Sequence, residues 1–578
     1  MRFKSTFVII GFSFFFALAK LSTGLALERN PDIALKVDDY LSRITPFGYS
    51  GAFLLAKNGE ILLNKGYGMA IRDKGIPSNS ETVFCTGSVT KQFTAAGIMK
   101  LEMMGKLKTS DPIARYLPDV PPDKETIPLH YLLTHTSGIG SGEGGDYEVV
   151  GRDETVKKIL AQPLRSEPGK EFFYSNSGYS LLAAIIERVS GQSYEEFLRA
   201  NLFLPAGMHL TGYVLPDWKD KVIAHWYVGD EDNGTPLDKP FPYWNLLGNG
   251  GILSTTEDMF RWNRALKGDA ILSAEVKRKL WTPFLNEYAY GWDVMKTKHG
   301  MLIQHDGGST LGSSFDYRWF VDPDILIVLF CNQSPDGSAT IFKLRKKIEQ
   351  LVFGGSVELP PLPSSPGDSQ ALSNYAGTYR LPAGSDFRVT SAEGALTIEA
   401  YGQDAIDFLM GIEGYKERFQ ALNSQTEKLA AEVQKENYEA LHKALGDRVP
   451  LERITERQER MRKDQQAMFG PLQKFRIVGT VPFEGDAGTL VEFIFEKGSI
   501  LAQYIWGKEN LEGIRIPASP IKVKFLPQPG AEFLGYDLDL AKVMSVKFTL
   551  DERGTVKGMA FKGKSGLVTA PKTSQPIS

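Results

Sequence analysis

Residues 84–91, FCTGSVTK, hold a Ser-x-x-Lys motif at the start of an apolar stretch that contains no proline. The stretch continues through residues 92–101, QFTAAGIMKL, and predicts a helix. Residues three apart on a helix share a face, so the hydroxyl of Ser88 should lie beside the amine of Lys91. A neighbouring base can activate a serine, and a lysine in a dry pocket loses its proton more easily because burial disfavours the charged form. On these residues alone an ordinary polar helix start is the more common explanation, so the rest of the chain has to decide.

Three further motifs follow in order along the chain. They are HTSG at 135–138, YSN at 174–176 and HDGG at 305–308, and a glycine-rich stretch, GNGGILST, stands at 248–255. Taken singly, Tyr174 suits a core aromatic residue, and His305 and His135 suit structural histidines. Together with the Ser-x-x-Lys motif, however, they form a set that can be compared with known families.

Together these motifs resemble those of the penicillin-recognising serine hydrolases, in particular class C β-lactamases, D-alanyl-D-alanine carboxypeptidases with a Ser-Val-Thr-Lys motif, D-aminopeptidases and related esterases. The resemblance implies that Ser88 is the nucleophile and forms an acyl enzyme. It implies that Lys91 maintains the network of proton-exchanging groups around Ser88. It also implies that Tyr174 is a phenolate-like base whose pKa the nearby lysine lowers. Asn176 would hydrogen-bond Lys91 and the acyl-side amide of the substrate. His135 is expected to be structural, in a turn under the site.

The HDGG motif is expected on a strand that faces the site. His305 stands where many relatives have lysine, and Gly307 and Gly308 would let a substrate approach the strand because they lack a Cβ. The backbone N–H groups of Ser88 and Gly308 would form the oxyanion hole, where each donor is worth about 3 kcal/mol. Asp306 departs from the Thr or Ser usual in carboxylate-binding relatives. If its side chain faces the cleft, we expect its charge to repel a substrate carboxylate, so that esters, amides or substrates with a free amine are preferred over penicillins. An orientation of Asp306 away from the cleft stays open.

Several other classes of protein are disfavoured. No Gly-x-Ser-x-Gly elbow surrounds Ser88, which argues against an α/β-hydrolase, and no His-Glu-x-x-His spacing suggests zinc. We therefore expect no metal and no cofactor. The formal net charge of −3 gives no sign of the basic face of a nucleic-acid binder.

The N-terminus predicts export. Two basic residues precede an apolar run at 7–19, and residues 24–26, GLA, offer a cleavage site typical of a signal peptide. The protein would then be periplasmic or secreted, without a stable membrane span after cleavage, although an uncleaved anchor stays open. The two cysteines, Cys85 and Cys331, lie in apolar runs typical of buried thiols, and a disulfide between them also stays open.

The predicted fold class is α+β, with a β-lactamase-like, mostly antiparallel sheet flanked by helices and a helical subdomain. A β-rich region follows, in which YAGTY at 375–379 and VKF at 546–548 resemble a lipocalin-like β-barrel, with an inserted α+β segment like a nuclear-transport-factor cone. The predicted organisation is a signal peptide at 1–26, a catalytic domain at 27–355, a Pro-rich linker at 356–371, the barrel at 372–404 and 518–570, and the inserted module at 405–517. Whether the C-terminal region covers the cleft, binds a ligand or mediates dimers is open.

The sequence thus predicts a serine hydrolase that acts through acyl-Ser88 on an ester or amide, as an esterase, a D-amino-acid-specific peptidase or a β-lactamase-like enzyme. The expected partner is a small-molecule or short-peptide substrate, with no nucleic acid, and a homo-oligomer is left open. One alternative is a penicillin-binding or β-lactam-sensing protein that acylates slowly with little turnover. Another is a scaffold whose front domain is inert, in which Ser88→Ala would leave the phenotype intact.

Overall fold

A computed structural model describes residues 30–574, apart from 143, 335–339, 363–368, 413–414, 447–448, 484–485, 509, 517, 519, 539–541 and 564–565. The predicted signal peptide and part of the predicted linker therefore lie outside the described residues. Across the residues it describes, no helix has the length and apolar character needed to cross a membrane.

The first half of the chain alternates strands and helices around one large sheet. Its described strands are β1 Gly51–Lys57, β2 Glu60–Tyr67, β3 Met69–Ile71, β4 Ile76–Pro77, β5 Phe84–Cys85, β6 Tyr227–Val228, β7 Glu231–Asp232, β8 Leu253–Ser254, β9 Asp293–Thr297, β10 Gly300–Gly308, β11 Ser314–Phe320, β12 Ile325–Cys331 and β13 Gln333–Ser334. Its described α-helices are α1 Asn30–Ile44, α2 Thr90–Met103, α3 Leu129–Leu133, α4 Arg152–Ala161, α5 Asn176–Ser190, α6 Tyr194–Leu198, α7 Leu204–Ala206, α8 Thr256–Lys267, α9 Ala274–Leu280 and α10 Thr340–Val352.

The large sheet is antiparallel and has the strand order β2-β1-β12-β11-β10-β9. Both of its faces are covered, α1 and α10 packing on one and α8 on the other. Successive side chains of a strand point to opposite faces, so on β12 Val328 and Phe330 join the core on the α8 side while Ile327 and Leu329 join the core on the α1 side. An antiparallel sheet between helices is what the sequence predicted for this part of the chain.

Helix α2 is the centre of the first half of the chain. Nearly every residue from Thr90 to Leu101 is buried, so the helix is surrounded by protein on all sides, and its polar residues Lys91 and Gln92 are buried with the apolar ones. It packs against α5, where Gly97 allows the close approach: a Cβ there would lie 3.0 Å from Ile186 and from Leu198. Helices α3 to α6 form the helical subdomain on this side of the sheet. A polar side chain at the start of α2 is therefore forced into the interior.

The second half is rich in strands. Its described strands are β14 Gly377–Arg380, β15 Asp386–Ala392, β16 Ala395–Tyr401, β17 Leu472–Phe483, β18 Asp486–Phe495, β19 Gly498–Trp506, β20 Leu511–Arg515, β21 Lys522–Gln528, β22 Glu532–Asp537, β23 Lys542–Leu550, β24 Val556–Gly563 and β25 Gly566–Thr573. Its described α-helices are α11 Ser369–Leu372, α12 Gln403–Met410, α13 Lys416–Gln434, α14 Tyr438–Leu445 and α15 Leu451–Phe469.

Eight of these strands close an antiparallel barrel in the order β14-β15-β16-β21-β22-β23-β24-β25. The chain between β16 and β21 builds a separate antiparallel sheet, β17-β18-β19-β20, whose core is shared with helices α13, α14 and α15. The prediction of a β-barrel in the second half of the chain is confirmed, whereas its likeness to lipocalins stays a prediction. The barrel packs through Leu526, Tyr536 and Leu538 against the core on the α1 side of the large sheet.

Candidate active site

Ser88 and Lys91 lie at the entrance to α2, in the positions that their spacing predicts. Ser88 belongs to the short 3₁₀ turn Gly87–Val89 that leads into the helix and is half-buried, whereas Lys91 is fully buried. The amine of Lys91 donates to Ser88 Oγ at 3.1 Å and to the backbone carbonyl of Asn249 at 2.7 Å. Burial holds the pKa of Lys91 well below its ordinary value. The neutral amine is therefore favoured, and a neutral amine beside a serine can take the serine proton.

Pairing of β5 with β8 brings the glycine-rich stretch to this turn. Phe84 is opposite Ser254, and the amide of Thr86 donates to the carbonyl of Ile252 at 2.8 Å. The side-chain amide of Asn249 donates to Ser180 Oγ and to a backbone carbonyl, which fixes the carbonyl that holds Lys91. Sequence reasoning quoted this stretch but assigned Asn249 no role; its place between consecutive glycines is the signal that marks it.

Tyr174 contacts both Ser88 and Lys91. Its hydroxyl is hydrogen-bonded to Ser88, and the amine of Lys91 lies 4.7 Å from the centre of its ring. The prediction that the lysine lowers the pKa of Tyr174 is wrong, because burial raises that pKa well above the ordinary value and outweighs the hydrogen bond from Ser88. A phenolate is disfavoured here, so Lys91 is the better candidate for the base that activates Ser88.

Asn176 is the first residue of α5, a helix whose N-terminus is capped by Ser175, with Ser175 Oγ accepting from the amide of Gly178 at 3.0 Å. The predicted hydrogen bond between Asn176 and Lys91 is wrong, because the amine of Lys91 turns to the Asn249 carbonyl instead. Asn176 Oδ1 is buried and, among the described residues, accepts no hydrogen bond. Such an acceptor costs about 1–3 kcal/mol when left unpaired, so it is a group on which a substrate N–H can be bound.

His135 lies directly beneath Tyr174. It adopts a positive φ of 57°, and its ring centre lies 4.2 Å from that of Tyr174. Its Nδ1 accepts from the amide of Ser175 at 3.0 Å, so the ring holds the segment that carries Tyr174. Burial and the nearby Lys91 keep the pKa of His135 well below its ordinary value, and the ring is neutral. This position agrees with the structural role expected for His135, which here is to hold the segment that carries Tyr174.

His305 is buried in the same aromatic cluster. Its Nδ1 is 2.6 Å from the backbone carbonyl of Asp306, and because a carbonyl only accepts, this nitrogen carries the proton. Its Nε2 therefore accepts from the hydroxyl of Tyr288 at 3.0 Å. Burial lowers the pKa of His305 to about 4, so the ring is neutral near pH 7. Both nitrogens are occupied, and the positive charge that lysine gives many relatives is missing.

Tyr288 is a site residue that sequence reasoning missed. Its ring lies 4.7 Å from that of His135 and 6.1 Å from that of Tyr174, and its hydroxyl fixes His305. No motif surrounds it, and it reaches the site only because the loop before β9 passes beside β10. The folded chain is needed to find it.

Asp306 faces away from the site. Its neighbour His305 belongs to the face of β10 that meets α2, so strand alternation places Asp306 on the α10 face. There its carboxylate lies 3.1 Å from Arg345 Nη2, which also binds Asp316 at 2.9 Å. The predicted repulsion of a substrate carboxylate by Asp306 is therefore wrong: the charge is paired with Arg345 on the far side of the strand.

Gly307 and Gly308 bring the end of β10 against the Ser88 turn. A Cβ on Gly307 would lie 2.5 Å from Ser88 N and 2.5 Å from Thr86 O, and a Cβ on Gly87 would lie 2.8 Å from Gly308 N. The amides of Ser88 and Gly308, the predicted oxyanion donors, are therefore neighbours. Gly308 is exposed and Ser88 is half-buried, so a substrate can reach the place where they meet.

The structure also bears on metal binding and on the two cysteines. In the parts of the chain that the structure covers, no three His, Cys, Asp or Glu side chains are grouped so that they could hold a metal ion. Cys85 and Cys331 are both buried and unpaired, which answers the question that the sequence left open. Burial raises the pKa of Cys85 to about 11, so this thiol near the Ser88 turn is not a competing nucleophile at neutral pH.

Comparison with known proteins places this site in a family. The model of the β-lactamase family matches residues 47–349. The putative penicillin-binding protein PbpX of Bacillus subtilis (strain 168) is 34% identical over 323 residues, which cover 55% of this chain and 78% of that protein. Penicillin-binding protein 4* of the same organism is 30% identical over 385 residues, covering 61% and 84%. The solved structure of EstCE1, a hydrolase with promiscuous acyltransferase activity, covers 56% of this chain and 99% of its own at 19% identity and a TM-score of 0.50, a likeness of fold alone.

Proposed function

The chain belongs to the β-lactamase family of serine hydrolases, and from this premise we propose that it cleaves an ester or amide through an acyl enzyme on Ser88. The observation that carries the proposal is the 3.1 Å contact between Ser88 Oγ and the buried amine of Lys91. Lys91 takes the hydroxyl proton while Ser88 Oγ bonds to the substrate carbonyl carbon. The tetrahedral intermediate then collapses, and the bond to the leaving alcohol or amine breaks.

The remaining groups support these two steps. The amides of Ser88 and Gly308 stabilise the oxyanion, a contribution of about 3 kcal/mol each in related chemistry. Tyr174, hydrogen-bonded to Ser88 and next to Lys91, passes a proton to the leaving group and keeps its own O–H in the resting enzyme. Water then attacks the acyl carbonyl, its proton returns through the same groups, and Ser88 is released. Asn176 Oδ1 is free to accept an N–H from the acyl part of the substrate.

The charge of the site favours substrates without a free carboxylate. His305 is neutral and has both ring nitrogens occupied, so it offers no cation where many relatives have lysine. Asp306 lies on the other face of β10, where its carboxylate is paired with Arg345. The preference for esters and amides over penicillins therefore rests on a missing attraction rather than on the repulsion expected from the sequence. Two similar proteins are named penicillin-binding proteins, so β-lactams remain the comparison substrate.

The direct test is intact-mass spectrometry after exposure of the purified protein to a fluorophosphonate probe and, separately, to penicillin G. We expect one fluorophosphonate adduct that is absent in Ser88→Ala. Absence of an adduct in the folded wild-type protein would overturn the proposed nucleophile.

Turnover separates the substrate classes. We expect p-nitrophenyl butyrate to be hydrolysed faster than nitrocefin, with both rates abolished in Ser88→Ala. Faster nitrocefin hydrolysis would contradict the preference argued from His305. A stoichiometric penicillin adduct that forms without turnover would support the slow-acylating alternative.

A further inference from the structure

The inserted module between β16 and β21 contains a cavity of about 640 Å³ that is separate from the Ser88 site. It lies between the helices α14 and α15 and the strand β20, and all its lining residues belong to this module. The volume falls in the range of roughly 300–1,000 Å³ that is typical of small-molecule sites. No step of the proposed hydrolysis uses it.

The floor of the cavity is apolar. Leu441 and Ile454 are buried, and Leu445, Val449 and Ile514 pack on the same core while remaining partly open to the cavity. The core of the module is thus incompletely covered on this side. Apolar surface left facing water is unfavourable, and a bound aliphatic chain would remove it from water.

Arginines stand among the lining residues. Arg453 and Arg457 are one turn apart on α15 and so share a helix face, and Arg515 comes from β20. Glu512 is the one acidic residue among the lining residues that the structure describes. Within the described chain, none of these three arginines forms an ion pair with an acidic side chain. Their guanidinium groups are therefore available to an anionic ligand, and the fork of a guanidinium matches a carboxylate in bidentate geometry.

We propose that this cavity binds an aliphatic carboxylate of fatty-acid type, with the chain on the apolar floor and the carboxylate on Arg453 and Arg457. The juxtaposition of an open apolar floor with unpaired cations selects a ligand that has both an aliphatic chain and a negative charge. A neutral lipid would leave the arginines unused, and a small anion would leave the floor exposed. The proposal is independent of the chemistry at Ser88.

Isothermal titration calorimetry on the full chain tests it, with octanoate, decanoate and laurate below their micellar concentrations. We expect saturable binding whose affinity rises by about fourfold for each added methylene, the increment expected for a buried CH₂ group. Dodecanol and dodecylammonium should bind at least tenfold more weakly than laurate, because they lack the charge that the arginines recognise. Dodecyl phosphate is the arm that separates a carboxylate site from a lipid-phosphate site.

The test variant carries both Arg453→Gln and Arg457→Gln. Its matched control is Arg460→Gln, because Arg460 is an exposed arginine of the same helix that does not line the cavity. The double variant should weaken laurate binding at least tenfold, and Arg460→Gln should change it less than twofold. All three positions are exposed, and an unchanged thermal unfolding curve and far-UV circular dichroism spectrum would show that the variants are folded. No laurate binding, equal binding of dodecanol, preference for dodecyl phosphate, or equal effects of the two variants would each overturn the proposal.

Discussion

Replacing Gly307 with alanine should disturb Ser88, because the backbones at these two positions touch. The added Cβ would lie 2.5 Å from both Ser88 N and Thr86 O, whereas ordinary contacts of a Cβ begin at 3.4 Å. The end of β10 and the Ser88 turn therefore have to separate by roughly 0.9 Å. Both contacted atoms belong to the backbone, so no side chain can move aside to relieve the clash.

The separation acts on the group that attacks and on one of the donors that stabilise the oxyanion. Misplacement of reacting groups by about 1 Å costs on the order of 100-fold in rate. That loss corresponds to about 2.7 kcal/mol of activation free energy. We therefore expect Gly307→Ala to lower kcat for p-nitrophenyl butyrate by about two orders of magnitude while the protein stays folded.

Gly308→Ala is the matched control on the same strand. Its added Cβ would meet nothing closer than Ser313 O at 3.5 Å, an ordinary contact, and Gly308 is exposed. We expect kcat within about threefold of wild type, a difference under about 0.7 kcal/mol, and a higher KM for bulky acyl groups. Steady-state kinetics and thermal unfolding of both variants decide the matter. Wild-type kcat in folded Gly307→Ala, or equal losses in the two variants, would refute the argument from close approach.

Three further predictions follow from the buried groups. Lys91→Met should lower kcat/KM by about 10²–10⁴ and remove the acid limb of its pH profile, because activity rises as Lys91 loses its proton. Tyr174→Phe should lower kcat/KM by less and keep the acid limb. If Tyr174→Phe lowers the acylation rate as much as Lys91→Met does, Tyr174 is the base. His135→Ala should lower kcat about tenfold with little change in KM, because the segment that carries Tyr174 loses its support. It should also lower the free energy of unfolding, measured by denaturant titration, by about 1–3 kcal/mol. His135→Gln should partly restore both kcat and stability. Burial and the nearby Asp306 raise the pKa of Asp293 to about 7, so the native state keeps a proton that the unfolded chain releases above about pH 4. The free energy of unfolding should therefore fall as the pH rises from 4 to 7. A fall of equal size in Asp293→Asn would contradict this.

The local part of the site could be predicted from the sequence. Ser88 and Lys91 meet because they are three residues apart at a helix start, and the apolar residues after them, without proline, indicate a helix. The order of the motifs then predicted which distant segments converge. Strand alternation in the second half and a resemblance to barrel proteins predicted a β-rich region, and the structure closes eight of its strands into a barrel.

The missed features depend on burial and on long-range partners. The pKa of Tyr174 is set by how completely the folded chain covers its ring, and a motif does not reveal that. Lys91 binds a backbone carbonyl of Asn249, and any residue at that position could present the same carbonyl. Tyr288 reaches the cluster through a loop that carries no recognisable pattern. Each of these contacts joins segments far apart in the chain, where spacing gives no information.

The choice between the two orientations left open for Asp306 could have been made from the sequence alone. If His305 faces the site on a β-strand, its immediate neighbour has to face the other side, because side chains alternate along a strand. The pairing of Asp306 with Arg345 is then the expected way to satisfy a carboxylate on that face.

The same alternation explains how β10 serves two electrostatic environments. Its site face presents a neutral histidine and glycine backbone beside Lys91, whose neutral form burial favours. Its opposite face carries the charged group of Asp306, Asp316 and Arg345. A fixed positive charge next to Lys91 would lower its pKa further, and a fixed negative charge would raise it and keep the base protonated. Keeping the carboxylates of Asp306 and Asp316 paired with Arg345 behind the strand therefore limits the negative charge that acts on Lys91, the proton acceptor that Ser88 requires.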